Sequence, residues 1–365
     1  MNQHFYAADY TNEAERQKEF HKKINERVHT FFMETGLSPK GNSRLYIKAV
    51  ILLSMYIVPF IILLIYPVDT ILFYILWFVM GLGMAGVGMG VMHDGNHGSF
   101  SKYDVLNKLA GYSMFLLAGN VITWKIQHNM LHHTFTNVHG KDEDVDTGGL
   151  IRLHPEQAWK PIHRIQPFYA PFLYGLLTLN WLLIKDFAQL HRYYKEGLLA
   201  RARTTYPKEL TILILSKIVN YSIFIILPFV IIDRVWYEIL AGILLMHFTA
   251  GITLSFIFQM AHVMPHVDQI ADISQKNRVW SVHQLQTTAN FSRHNPLITW
   301  YVGGLNYQIE HHLFPHISHI HYPRIAKIVK QTAREFDIKY QEYSRFREAL
   351  LEHFRYLIQL SKKPV

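Results

Sequence analysis

The chain has 365 residues, half of them apolar, with a net charge of +9 and 23 histidines. It contains no cysteine, which excludes disulfides, thiolate metal sites and cysteine-ligated iron–sulfur clusters within it. The positive charge suits nucleic acid or an anionic membrane surface, but no basic stripe interleaved with aromatics accompanies it, so nucleic acid is set aside.

Residues 1–48 are polar and charged, hold no apolar signal-peptide core, and read as a cytosolic N-terminal segment. Apolar runs follow at 49–66, 71–92, 210–232 and 239–261. At 1.5 Å per residue each is long enough, or nearly so, to cross a hydrocarbon core of about 30 Å. Pro67–Asp69 joins the first two and Asp233–Glu238 the last two, which reads as two helical hairpins. Lys217 interrupts the third run and is expected to snorkel towards an interface. GLGMAG (Gly81–Gly86) matches a dinucleotide fingerprint, but it lies inside an apolar run without the strand and turn that fingerprint needs. Close helix packing by small residues is the better reading.

Two weaker runs, 109–122 and 168–184, read as interfacial helices. Letting either cross alone would put the histidine clusters on opposite membrane faces. All Lys and Arg except Lys217 and Arg234 then lie on one side, which the positive-inside rule makes cytoplasmic. The membrane domain is expected to run over 49–335. After Pro323, RIAKIVKQTAREF and SRFREALLEHFRYLIQL are amphipathic at helical spacing, with 336–365 taken as the C-terminal helix of a cytosolic cap.

Three histidine clusters adjoin these segments: His93 and His97 in HDGNH, His128, His132 and His133 in HNMLHH, and His311 and His312 after Gln308 in QIEHH. Spacings of three and four place the rings of each cluster on one helix face. His262 follows the fourth run. Eight imidazoles exceed what one tetrahedral zinc requires and suit two metal ions with open positions. Nitrogen ligation beside a bilayer fits an iron pair activating dioxygen against an inert C–H bond. The Glu-x-x-His pairs of carboxylate-rich di-iron bundles and the HExxH of metalloproteases are both absent.

HDGNH, HNMLHH and QIEHH resemble the three histidine boxes of membrane fatty acid desaturases, and a glutamine-headed third box resembles the front-end acyl type. The likeness runs over about 45–335 and includes WKIQHNMLHHTFTN, TTANF and GGLNYQIEHHLFPH. It implies an all-α integral membrane fold: four transmembrane helices in two hairpins, interfacial helices, and a cytosolic helical cap holding a di-iron site. The ligands it implies are His93, His97, His128, His132, His133, His262, His311 and His312. Gln308 stands where other members have a ligand, and either ligates weakly, holds a water or orients a neighbour; Gln259 offers a similar water-bridging part. Many eukaryotic front-end members carry a fused cytochrome b5 domain with an HPGG sequence, which the first 48 residues lack. Electrons are therefore expected from a separate donor, ferredoxin or cytochrome b5 with its reductase, in a bacterial inner membrane.

The implied reaction is oxygen-dependent insertion of a cis double bond, Δ5 or Δ6, into an acyl-CoA or acyl-lipid. A related lipid hydroxylase or sphingolipid desaturase is the neighbouring alternative, and a histidine-rich metal transporter the alternative of another class. Asp94 either fixes the tautomer of a ligating imidazole or caps a helix. Trp124 is a candidate wall of the acyl channel. Arg152, Lys160 and Arg164 form a basic loop that can receive a phosphate-bearing head group. Asp142, Glu143, Asp144 and Asp146 read as a solvated turn.

Overall fold

The computed structural model describes residues 13–271 and 278–364; residues 1–12 of the N-terminal segment lie outside the described residues. The chain forms two compact units. One comprises Asn42–Met130 and Pro167–Ile257, the other Met1–Gly41, Leu131–Gln166 and Phe258–Val365. Among the described residues, four helices are long and apolar enough to cross a membrane: Ser43–Ile65, Thr70–Asn96, Tyr206–Ile231 and Trp236–His262.

In the first unit, helix starts are set by side-chain caps. Asn42 accepts from the N–H of Arg44, so the first span begins ahead of its apolar run; Asp69 accepts from Ile71 and Leu72 and starts the second. Arg234 donates to the carbonyl of Val68, which ties the tips of the two hairpins together. Small residues permit close packing, as expected for GLGMAG. A Cβ on Gly81 would lie 2.6 Å from the Met246 carbonyl oxygen, and one on Gly83 2.6 Å from the backbone of Met55 and Tyr56.

Both weaker runs are bent. Asp104–Leu117 and Val121–Phe135 meet at 105°, and Pro161–Gly175 and Leu177–Lys195 at 57°. The first bend follows from Ala118 in the left-handed region at φ +58° and from Asn120, whose side chain caps the next helix through Ile122 and Thr123.

Lys217 does not snorkel. It is buried, its Nζ lies 3.2 Å from Asp186 Oδ2, and it donates to the carbonyls of Ala118 and Trp181 at 2.5 Å. A buried carboxylate and two carbonyls replace the water it would otherwise seek. Asp186 also accepts from Thr123, so Lys217 fastens the third span to both bends. His247, likewise inside a span, exchanges hydrogen bonds with Thr178.

The second unit is built on short helices and loops. Its apolar core gathers Phe20, Ile24 and Val28 of helix Glu13–Thr35 at a spacing of four. Against them pack Val282, Leu285, Ile309 and Leu313, and Ile325, Val329 and Ala333 of helix Tyr322–Glu335. Among the described residues the only strands, Asn290–Phe291 and Glu342–Tyr343, pair in parallel. Helix Gln308–Leu313 is buried along its whole length.

Candidate metal centre

In the first unit, His93 lies near the end of the second span, after a widened turn over Gly88–Met92, and His97 closes that helix. His128 comes from Lys125–His132, which is wound in the same wide fashion. Such i→i+5 turns recur at functional sites. The three rings form a triangle: His93 to His97 4.6 Å, His93 to His128 5.2 Å, His97 to His128 5.3 Å between centroids. Trp124 closes one side, 4.6 Å from His128 and 5.7 and 5.8 Å from His93 and His97. Asn129 donates to the Asn96 carbonyl at 3.1 Å and joins the two segments. Asp94 is buried with Oδ1 3.8 Å from His93 Nδ1.

In the second unit His132, His133, His262, His311 and His312 are all buried. Neutral imidazole carries one N–H and one lone pair, so the partner of one nitrogen fixes the use of the other. His132 Nδ1 lies 2.9 Å from both oxygens of Asp142. His312 Nδ1 lies 2.7 Å from Gln284 Oε1. That amide cannot be turned over, because its Nε2 donates to the His133 carbonyl while its Oε1 accepts from Thr136. His262 Nδ1 lies 3.3 Å from the Thr287 carbonyl oxygen, and His311 Nδ1 3.4 Å from the Tyr322 hydroxyl.

With their Nδ1 protons given to oxygen, His132, His262 and His312 present bare Nε2 atoms. Those of His132 and His312 are 3.2 Å apart. Two lone pairs at that separation repel unless a cation lies between them. The three residues offer ligand atoms within 4.8 Å of one another, so this donor set fits a bound metal ion.

Gln308 sits against the same group. Its Nε2 is 2.9 Å from His262 Nε2 and 3.5 Å from His312 Nε2, while its buried Oε1 has no hydrogen-bond partner. Gln259 is also buried, its Oε1 likewise without one. Burial disfavours a charged His132, but Asp142 and Asp144 outweigh it and hold its pKa above the ordinary value. Glu310, between Gln308 and the histidine pair, is pushed up to about 7 by burial, against donation from Asn290 and Tyr340.

The basic loop divides: Arg152 is drawn into the fold, whereas Lys160 and Arg164 stay exposed. Arg152 is buried and donates to the carbonyls of Gln157, Pro155 and Leu360, so it secures the C-terminal helix instead of presenting a free guanidinium. Lys160 reaches the Gly149 carbonyl at 3.5 Å, and Arg164 rests over the Trp159 ring. Asp142 is no solvated turn residue: it is 2% exposed and faces an imidazole. Asp142, Asn137, Gln284, Thr287 and Tyr322 are the residues that reading by spacing passes over. Asn137 and Thr287 do lie in two of the matched stretches, WKIQHNMLHHTFTN and TTANF.

A model of the fatty acid desaturase family matches residues 69–344. An sn-1 linoleoyl-lipid 6-desaturase of Arthrospira platensis is 32% identical over 348 residues, covering 94% of this chain and 93% of the relative. The enzyme of the same description from Synechocystis sp. is 30% identical over 352 residues, covering 95% and 97%. An acyl-lipid (8-3)-desaturase of Physcomitrium patens is 32% identical over 363 residues, with 96% of this chain and 72% of the relative covered.

Proposed function

We propose, from the premise that this chain belongs to the fatty acid desaturase family, that it inserts a cis double bond at the Δ6 position of an acyl-lipid, using a pair of histidine-held irons. The chain is a multi-pass membrane protein and an oxidoreductase that desaturates fatty acyl chains, of the front-end type its relatives represent. Position Δ6 is preferred to Δ5, and an acyl-lipid to an acyl-CoA, because linoleoyl-lipid 6-desaturases match nearly end to end.

The observation that supports the metal reading best is the set of bare Nε2 atoms of His132, His262 and His312, each ring anchored through Nδ1. His133 and His311, whose rings pack beside these, together with His93, His97 and His128, would complete the ligand set. Iron held in this way supplies dioxygen activation strong enough to break an unactivated methylene C–H bond. The chain's own part is to fix the ring directions; we read Trp124, which packs on the rings of His93, His97 and His128, as a wall of the acyl path. Its electrons come from a carrier such as ferredoxin or cytochrome b5 with its reductase. The active side faces the cytoplasm of a bacterial inner membrane.

The test is expression in a bacterium without polyunsaturated lipids, together with ferredoxin and its reductase, fed linoleic acid. Mass spectrometry of the extracted lipids is expected to show a new double bond at Δ6. Unchanged lipids beside a working donor, or a hydroxylated chain, overturn the proposal.

A further inference from the structure

We infer that Asn137 and Asp142 act together as positioning residues for His132 and His262, fixing which nitrogen of each ring is available to metal. The inference rests on the metal reading above and goes beyond the ligands themselves.

Asn137 sits at φ +55°, in the left-handed region that an asparagine tolerates better than most residues. From there its backbone N–H donates to Asp142 Oδ2 at 2.8 Å. Asp142 also accepts from the N–H of Asp144 at 3.0 Å. The carboxylate is thereby held against His132 Nδ1, at 2.9 Å through both oxygens.

The Asn137 side chain points the other way. Its Nδ2 lies 2.9 Å from the carbonyl oxygen of His262, 3.1 Å from that of Asp268 and 3.2 Å from that of Thr287. Thr287 is the carbonyl that receives His262 Nδ1. One residue thus reaches the acceptor of the first ring through its backbone, and both the backbone and the acceptor of the second ring through its side chain.

The two rings are not held alike. His132 faces a buried carboxylate, whereas His262 and His312 face a neutral carbonyl and a neutral amide. A carboxylate partner makes its imidazole the more basic ligand and brings a negative charge towards the ion that the ring holds. An amide in its place can instead donate to Nδ1, turning the N–H onto Nε2, where metal should bind.

The test uses the full-length protein in detergent, stripped of metal and titrated with Fe(II) without oxygen, comparing Asp142→Asn and Asn137→Gly with the parent. Asp142→Asn keeps the side-chain shape and an oxygen for one of the two loop N–H groups, which donate to different oxygens of the carboxylate. Asn137→Gly keeps the left-handed backbone and its N–H while deleting the amide. Two ions are expected to bind the parent, and each variant should weaken one of them by about 10–100-fold while leaving the other unchanged. The Mössbauer spectrum should change for one iron of the two. Native affinity for both ions in the variants overturns the inference, as does equal weakening of both with a lowered melting temperature of the metal-free protein, the mark of a merely structural role. A parent that fails to bind two ions defeats the metal reading itself, a separate result.

Discussion

His132 Nε2 and His312 Nε2 face one another at 3.2 Å, and each ring has its Nδ1 against an oxygen acceptor, Asp142 for the first and Gln284 for the second. This is a pair of lone pairs prepared for a cation. Replacing either histidine by alanine is expected to abolish desaturation while membrane insertion, followed by fractionation, is retained. Persisting activity in either variant would remove that residue from the ligand set.

The Gln308 amide lies against the same group, its Nε2 2.9 Å from His262 Nε2 and its oxygen buried and unpartnered. The amide answers both the ring and whatever occupies the space between them. Gln308→His substitutes a bulkier ligand and should lower desaturation about 10–100-fold. A native rate and native double-bond position in that variant would make the amide incidental.

The buried pair Lys217–Asp186 holds the third span to both bends. Lys217→Met leaves the Asp186 carboxylate buried without its cation, at a cost of about 3–5 kcal/mol. The double variant Lys217→Met, Asp186→Leu should recover much of that loss. Thermal unfolding in detergent distinguishes this from a snorkelling lysine, for which the single variant would melt like the parent.

His353 in helix Phe346–Ser361 is buried, with Nδ1 2.9 Å from the Val263 carbonyl, and burial pushes its pKa down to about 4. The unfolded chain takes up this proton near 6.5, so the stability from keeping the ring neutral is present above pH 6.5 and is lost as pH falls through 4. About 3 kcal/mol is at stake over that window. The melting temperature of the parent should fall from pH 7 to pH 4.5, and less steeply in His353→Phe. Parallel profiles would refute this assignment.

The histidine clusters were legible because side chains three and four residues apart share one helix face, and that spacing is plain in the sequence. The four long helices were legible because lipid demands unbroken apolar runs. What orients the rings was not legible. Asp142 and Asn137 lie in a loop, Thr287 acts through its backbone carbonyl, and Gln284 comes from a seven-residue helix remote in sequence. No periodicity links a loop carboxylate to the imidazole it meets. The pairing of Lys217 is hidden for a related reason: a charge in an apolar run shows its cost, whereas its partners Asp186, Ala118 and Trp181 come from separate segments. Arg152 is a similar case: its acceptor, the Leu360 carbonyl, lies far away in sequence.

Glycine contacts give a further check on the spans. Gly83→Ala puts a Cβ against the backbone of Met55 and Tyr56, where no side chain can yield. A loss of about 1–3 kcal/mol is expected from such overpacking, read as a lower melting temperature. An unchanged melt would mean that these two helices are not so closely packed.

The most direct measurement is the metal content of the purified protein, with X-ray absorption at the iron edge. About two irons per chain, ligated by nitrogen and oxygen without sulfur, is the predicted result. A single tightly held zinc would contradict it.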